Sequence, residues 1–137
     1  RRSLALEVIQ KVTQDNNSIT AYDPMIKENI ENHKYIQVCK TPEEAVKDAD
    51  VIYTDTWISM GEEGEAETKR NHFEGFQVNS DLIKYAKKNV LVMHCLPAHR
   101  GEEITDDVID SQNSIVYDQA ENRLHVQKAL LKLLICK

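Results

Sequence analysis

The stretch NVLVMH at residues 89–94 decides the fold. It is a short and almost wholly apolar run, which is typical of a parallel strand covered on both faces. Four other β-prone runs occupy residues 18–22, 35–39, 51–54 and 115–117. Segments with helical spacing or helix-start signals lie between and after these runs. Strands that alternate with helices predict an α/β domain with a parallel sheet.

The helices are predicted from apolar spacing and from capping residues. Residues 3–14 carry apolar side chains at helical spacing. Thr41 is the predicted N-cap of a short helix that ends near Ala49, and Glu44 completes a capping box. The remaining predicted elements are a weak helix after Pro24, a polar loop over residues 55–77, a helix from residue 79 or 80 to 87, a short helix after Thr105 and a long helix over 121–135.

These elements predict one domain, residues 1–137, with a doubly wound, Rossmann-like parallel sheet. Helices are expected on both faces of the sheet, which gives three layers. Ligands of such sheets bind at the carboxyl ends of the strands. The loops after Thr54, His94 and Tyr117 are therefore the candidate site.

Composition excludes several classes of protein. Of the 137 residues 41% are hydrophobic and 29% are charged, as in ordinary globular domains. The net charge of −6 argues against a nucleic-acid partner, because phosphate binding needs a basic face. No apolar run approaches the roughly 20 residues of a membrane span. The three cysteines are widely spaced and include no CxxC motif, which favours free thiols in a reducing compartment.

The first candidate loop reads DTWISMG at residues 55–61. Asp55, directly at a strand end, can bind an ammonium group. The Ser59 hydroxyl and nearby backbone amides can bind a carboxylate, and Gly61 lets the chain turn. Together these groups could hold the zwitterionic end of an amino acid. The alternative is a plain surface loop with an N-capping aspartate.

The second candidate loop reads HCLPAHRG at residues 94–101. Cys95 follows a buried strand and is placed to face a substrate, although a buried small residue or a Cys-His-acid triad is an alternative. Pro97 restricts Leu96 and can follow a cis bond. A zinc site of His94, Cys95 and His99 is disfavoured, because adjacent strand residues point to opposite faces. No metal and no cofactor are predicted.

The third candidate segment reads DQAENRLHVQKALL at residues 118–131. Arg123 is predicted in the first turn of the helix, where a cation is unfavourable for the helix dipole. That cost makes sense if Arg123 contacts an anion or a carbonyl oxygen. The alternative is an exposed arginine in salt bridges.

The motifs DTWISMG, HCLPAHRGEE and ENRLHVQKALL, in this order and spacing, resemble the C-terminal domain of ornithine carbamoyltransferases over about residues 41–131. The resemblance implies an enzyme that transfers a carbamoyl group from carbamoyl phosphate to the δ-amine of L-ornithine, giving L-citrulline and phosphate. The Ser-Met-Gly loop points to ornithine rather than to aspartate or putrescine.

Position by position, the resemblance implies a role for six residues. Asp55 would bind the α-amino group, and Ser59 with the Met60 backbone would bind the carboxylate. Cys95 would lie beside the side-chain amine. The Leu96 carbonyl would hold the carbamoyl amide, and Arg123 would contact the carbamoyl oxygen. Catalysis would then rest on Asp55, Cys95 and Arg123.

The motifs that bind carbamoyl phosphate in this family, Ser-x-Arg-Thr-Arg and His-Pro-x-Gln, do not occur in the chain. Residues 1–40 also match the family poorly. The expectation is an ornithine-binding half that works with its own N-terminal domain and is inactive alone. The family further implies a homotrimer of arginine metabolism, with a urea-cycle role in some organisms, located in the cytoplasm or, in an animal, in the mitochondrial matrix.

Two other hypotheses remain from the sequence. A nucleotide-binding dehydrogenase domain shares the layered fold, but no GxGxxG follows any predicted strand. A degenerate relative that binds an amino acid or a partner protein without catalysis is the second. The sequence of the upstream half of the protein would distinguish this second hypothesis from an enzyme, because an enzyme needs the phosphate-binding arginines there.

Overall fold

The computed structural model describes residues 4–14, 17–23, 35–58, 61, 64 and 66–135. Two compact units divide the chain, Arg1–Lys47 and Asp48–Lys137. The elements in chain order are α1 (Leu4–Thr13), β1 (Thr20–Ala21), β2 (Gln37–Val38), α2 (Pro42–Val46), β3 (Val51–Thr54), α3 (Ala66–Phe73), α4 (Ser80–Ile83), β4 (Leu91–His94), α5 (Asp106–Ile109) and α6 (Val116–Ile135).

In the first unit β1 and β2 pair in parallel, with Thr20 opposite Gln37. Helix α2 begins as its sequence predicts, because the Thr41 side chain accepts a hydrogen bond from the Glu44 N–H at 3.2 Å. The return bond of the capping box is displaced by one residue. The Glu44 carboxylate accepts from the Lys40 N–H, at 3.0 Å, instead of from the N–H of the cap itself. The weak helix predicted after Pro24 lies outside the described residues.

In the second unit β3 and β4 pair in parallel over four positions, from Val51↔Leu91 to Thr54↔His94. Ser114 adds one parallel bridge to Val92 on the other edge of β4. The most deeply buried apolar side chains of this unit are Val90, Val92, Ile104, Val108, Ile109 and Val116. Through these side chains the β3–β4 pair packs against α5 and the start of α6. The chain therefore has the α/β fold with parallel strands that the sequence predicts.

The predicted fifth strand at residues 115–117 is wrong. Helix α6 already begins at Val116, and the Gln119 N–H donates to the Ile115 carbonyl at 2.9 Å. The β-branched pair Ile115-Val116 favours a strand, but tertiary packing overrides this preference. Val116 is completely buried. The loop predicted after Tyr117 is consequently part of a helix that begins five residues before the predicted start at residue 121.

The region predicted as a polar loop over residues 55–77 contains helix α3. Its sequence, AETKRNHF, is polar almost throughout and shows no apolar stripe, so periodicity does not reveal it. Phe73 at its end contacts Trp57 in a stacked arrangement, with the two ring centroids 6.2 Å apart. Packing of one aromatic residue, rather than an amphipathic face, therefore ties α3 to the loop after β3.

The other helices differ from prediction mainly in length. Helix α4 ends at Ile83, where the sequence predicts residue 87, although Asn79 caps it as expected by accepting from the Asp81 and Leu82 N–H groups. Thr105 precedes α5 but makes no side-chain capping bond. In the part of the chain that the structure describes, no helix is long and apolar enough to cross a membrane.

Candidate functional site

Two of the three predicted loops meet at the carboxyl ends of β3 and β4. Thr54 pairs with His94, so the residues that follow, Asp55 and Cys95, leave their strands side by side. The Cys95 thiol donates a hydrogen bond to Asp55 Oδ1, with a sulfur–oxygen distance of 2.8 Å. The structure thus brings together an acid and a thiol that are 40 residues apart in sequence.

The Cys95 sulfur is a hydrogen-bond donor rather than a preformed nucleophile. Partial desolvation, followed by the hydrogen bond to Asp55 and the charge of Asp55, raises the pKa of the Cys95 thiol above its ordinary value. A raised pKa keeps the sulfur protonated near neutral pH, and only the thiolate is a strong nucleophile. This electrostatic environment does not favour the alternative of a Cys-His-acid triad for covalent catalysis.

Thr56 links the two loops a second time. Its N–H donates to Asp55 Oδ1 at 2.7 Å, the same oxygen that accepts from Cys95. Its hydroxyl oxygen is hydrogen-bonded to His99 Nδ1, 2.8 Å away. Asp55 is therefore held by two donors, and the loop after β3 is fastened to the loop after β4.

A buried pair, His94 and Glu103, supports the second loop from inside. The Leu96 N–H donates to His94 Nδ1 at 2.9 Å, so Nδ1 is an acceptor and His94 carries its proton on Nε2. That Nε2–H donates to Glu103 Oε1 at 2.9 Å, and the His99 N–H donates to the same oxygen at 2.7 Å. Both side chains of the pair are fully buried.

This support fixes the backbone that carries Cys95. Leu96 has a positive φ of 53°, which is uncommon for a residue other than glycine, and the Leu96–Pro97 peptide bond is cis. The bond from the Leu96 N–H to His94 holds this conformation in place. Sequence reasoning missed Glu103 altogether. The only signal for it was an acidic residue directly before Ile104, an apolar residue that the fold buries completely.

Trp57 anchors the first loop. Its indole Nε1–H donates to the Phe76 carbonyl at 3.0 Å, and Phe73 stacks on its ring. Ser59 and Met60, the residues predicted to bind a carboxylate, lie outside the described residues. Their assignment remains a prediction from the motif.

Arg123 occupies a different position from the one predicted. Counting from Val116, it is the eighth residue of α6, two turns inside the helix, so the helix-dipole argument for it does not apply. Its side chain is exposed. Among the described residues no hydrogen bond or ion pair connects Arg123 to Asp55 or Cys95.

The zinc trio considered from sequence is not assembled. His94 and Cys95 point to different partners, Glu103 and Asp55. The described residues do contain one group with ligand atoms within 4.8 Å of one another, formed by His99, Glu102 and Glu103. Cys95 is not part of this group.

Comparisons with known proteins show the family of the chain. A family model described as aspartate/ornithine carbamoyltransferase, Asp/Orn binding domain, matches residues 6–134. The chain belongs to this family. It is 69% identical over 94 residues to the ornithine carbamoyltransferase of Pyrococcus horikoshii, an alignment that covers 69% of this chain and 30% of that protein. It is 54% identical over 119 residues to that of Archaeoglobus fulgidus, covering 85% of this chain and 39% of that protein.

A solved structure shows the same fold. The ornithine carbamoyltransferase of Pyrococcus furiosus matches 96% of this chain with a TM-score of 0.78 and 50% sequence identity, and the match covers 46% of that chain. The predicted Rossmann-like α/β class is therefore confirmed. The chain spans only about a third of the length of the curated relatives it matches.

Proposed function

We propose that this chain, as one domain, supplies the ornithine-binding half of an ornithine carbamoyltransferase. The observation that carries the proposal is the Asp55–Cys95 pair at the ends of two paired parallel strands. It lies within the motifs DTWISMG and HCLP, in a chain of the carbamoyltransferase family. The reaction is attack of the neutral δ-amine of L-ornithine on the carbamoyl carbon. The carbon–oxygen bond to phosphate breaks, phosphate leaves with the electron pair, and the amine loses a proton.

In this proposal Asp55 binds the α-ammonium group of ornithine through its carboxylate. Ser59 and the Met60 backbone bind the carboxylate group. The Cys95 thiol lies beside the δ-amine, and the Leu96 carbonyl accepts from the carbamoyl amide. The raised thiol pKa supports a positioning role for Cys95 and a direct, non-covalent transfer. Most of the rate then comes from holding amine and carbamoyl carbon in line.

Arg123 is the sixth residue of the proposed site. Its role as a donor to the carbamoyl oxygen rests on the ENRLHVQKALL motif, and its exposure on α6 leaves the guanidinium accessible to a ligand or a second domain. A charged donor aimed at the carbamoyl oxygen would stabilise the oxyanion that forms during attack.

The proposal also names partners. Carbamoyl phosphate binds to an N-terminal domain of the same protein, because the phosphate-binding motifs Ser-x-Arg-Thr-Arg and His-Pro-x-Gln do not occur in this chain. The chain alone is expected to be inactive. The intact protein is proposed to be a homotrimer of arginine metabolism in the cytoplasm, or in the mitochondrial matrix if the source is an animal.

Titration with L-ornithine, followed by the fluorescence of Trp57, tests the proposal. Trp57 is the only tryptophan and lies two residues before Ser59. Its indole is held by Phe76 and Phe73, so a change in the loop changes its surroundings. A saturable response is expected with L-ornithine and not with L-aspartate or putrescine. The Asp55→Asn variant is expected to lose the response.

A second titration uses this chain joined to a carbamoyl-phosphate domain, with carbamoyl phosphate bound. It separates a loop that needs the second domain from a wrong assignment to ornithine. If the Trp57 fluorescence of the chain alone does not change but that of the joined protein does, the loop needs the second domain in order to bind ornithine. Unchanged fluorescence in both proteins would overturn the assignment to ornithine.

A further inference from the structure

The Thr56 hydroxyl holds the first turn of the loop after β3. Its oxygen lies 3.2 Å from the Ile58 carbonyl oxygen, and the Ile58 N–H donates to it at 3.4 Å. The Ile58 side chain is buried, so the far end of this turn is tied to the core. Ser59 and Met60, the proposed carboxylate binders, follow Ile58 directly in the sequence. Thr56 therefore fixes the backbone that leads into them.

A third contact of the same oxygen crosses to the second loop. Thr56 Oγ1 lies 2.8 Å from His99 Nδ1, the shortest of its three side-chain contacts. A hydroxyl can both donate and accept, so either neutral tautomer of His99 can make this hydrogen bond. The His99 side chain is 47% exposed, so burial contributes little to holding the ring in place. The short hydrogen bond to Thr56 therefore orients the imidazole.

The backbone of His99 is fixed from the side of the core. Its N–H donates at 2.7 Å to Glu103 Oε1, an oxygen of a fully buried carboxylate. Its carbonyl accepts from the Glu102 N–H at 3.0 Å, and the Gly101 N–H donates to the Ile104 carbonyl at 2.8 Å. His99 therefore presents its ring from a turn that hydrogen bonds hold at both its N–H and its carbonyl.

We propose that His99 is a positioning residue for the loop that binds the amino acid. Through Nδ1 it holds Thr56, and Thr56 holds the residues on both sides of itself. The Thr56 N–H donates to Asp55 Oδ1 at 2.7 Å, and its hydroxyl contacts Ile58. His99 thereby fixes Asp55, the proposed binder of the α-ammonium group, relative to the residues that follow Ile58. This role in carbamoyl transfer rests on the function proposed above, whereas the hydrogen-bonded arrangement stands without it.

A positioning role predicts an effect on binding rather than on the chemical step. Without the His99 ring the loop is held less firmly, so ornithine must order it on binding, and that cost weakens the affinity. The Cys95 thiol and its bond to Asp55 are unchanged, so kcat should be preserved. Because His99 acts through Thr56, substitutions of the two residues should not be additive.

Steady-state kinetics of this chain joined to a carbamoyl-phosphate domain test the proposal. His99→Leu is expected to raise the KM for ornithine about threefold to tenfold, the size of one hydrogen bond, and to change kcat less than about twofold. Thr56→Val also loses the contacts with Ile58 and should raise KM at least as much. The double variant should be no worse than Thr56→Val. His99→Asn and Thr56→Ser keep a polar atom at the contact and should stay within about twofold of the parent.

His72→Leu is the matched control. His72 is an exposed histidine whose ring Nδ1 lies 2.7 Å from the Thr68 carbonyl of its own helix, and its substitution should leave KM unchanged. The proposal would be overturned by an unchanged KM for His99→Leu or by a fall in kcat at constant KM. A double variant whose effect is the product of the two single effects would also overturn it.

Urea denaturation of the chain alone tests the contact without ornithine. His99→Leu and Thr56→Val should each lower the urea midpoint, and the double variant should lower it no further than Thr56→Val does. Additive losses would overturn the arrangement itself, and a lowered midpoint with an unchanged KM would leave a structural contact without the positioning role. A parent protein that does not accept ornithine would instead count against the proposed function, so the two failures are distinguishable.

Discussion

An Asp55→Asn variant is expected to lose about 10²–10³-fold in kcat/KM for ornithine, the range typical of removing one partner from a hydrogen-bonded charge pair with a ligand. Asparagine keeps an oxygen that can accept from the Thr56 N–H and the Cys95 thiol. It removes the negative charge that is proposed to bind the α-ammonium group of ornithine. The loss should therefore reflect charge and not a collapsed loop.

The measurement needs a carbamoyl-phosphate domain beside this chain. A hybrid in which this chain replaces the matching part of the Pyrococcus furiosus enzyme provides it, because the matched regions share the fold and are 50% identical in sequence. Asp50→Asn is the control, since Asp50 is an exposed acid paired with Lys87 and should change kcat/KM less than about twofold. An Asp55→Asn hybrid with the rate of its parent would remove Asp55 from the site.

A Glu103→Ala variant is expected to lower the free energy of unfolding of the chain by about 3–5 kcal/mol, because two buried donors lose their acceptor at about 1–3 kcal/mol each and packed atoms are removed. The substitution leaves the His94 Nε2–H and the His99 N–H without their common acceptor in a site closed to water. It also leaves a cavity where the side chain was. Urea denaturation followed by circular dichroism measures the change.

Glu103→Gln separates the acceptor from the charge. Its amide oxygen can still accept from both His94 and His99, so the loss of stability should be about 1–2 kcal/mol. Equal losses for Glu103→Ala and Glu103→Gln would mean that the charge, rather than the accepting oxygen, supports the loop. A loss below about 1 kcal/mol for Glu103→Ala would show that the pair does not hold the loop.

The strands that build the site were predictable because their side chains are apolar and β-branched. Residues 51–54 and 89–94 contain β3 and β4, and the rule that ligands bind at carboxyl ends then brings Asp55 and Cys95 together. The structure of the segment after α5 was less predictable. Ile115-Val116 has strand character, and only packing against the core shows that Val116 begins a helix.

Residues that act through three-dimensional contacts left no sequence signal. Glu103 lies 48 residues from Asp55, and no periodicity connects the two. Helix α3 was missed for a related reason, since its contact with the first loop is a single aromatic stack. The position of Arg123 was mispredicted because its helix begins earlier than its own capping signals suggest.

Citrulline formation by the hybrid enzyme tests the central claim most directly. The claim is that this chain supplies the ornithine-binding half of a carbamoyl-transfer site. The hybrid is expected to form citrulline from L-ornithine and carbamoyl phosphate, and to form no carbamoylated product from L-aspartate or putrescine. A folded hybrid that binds carbamoyl phosphate but carbamoylates another amine in preference to ornithine, or none at all, would contradict the account.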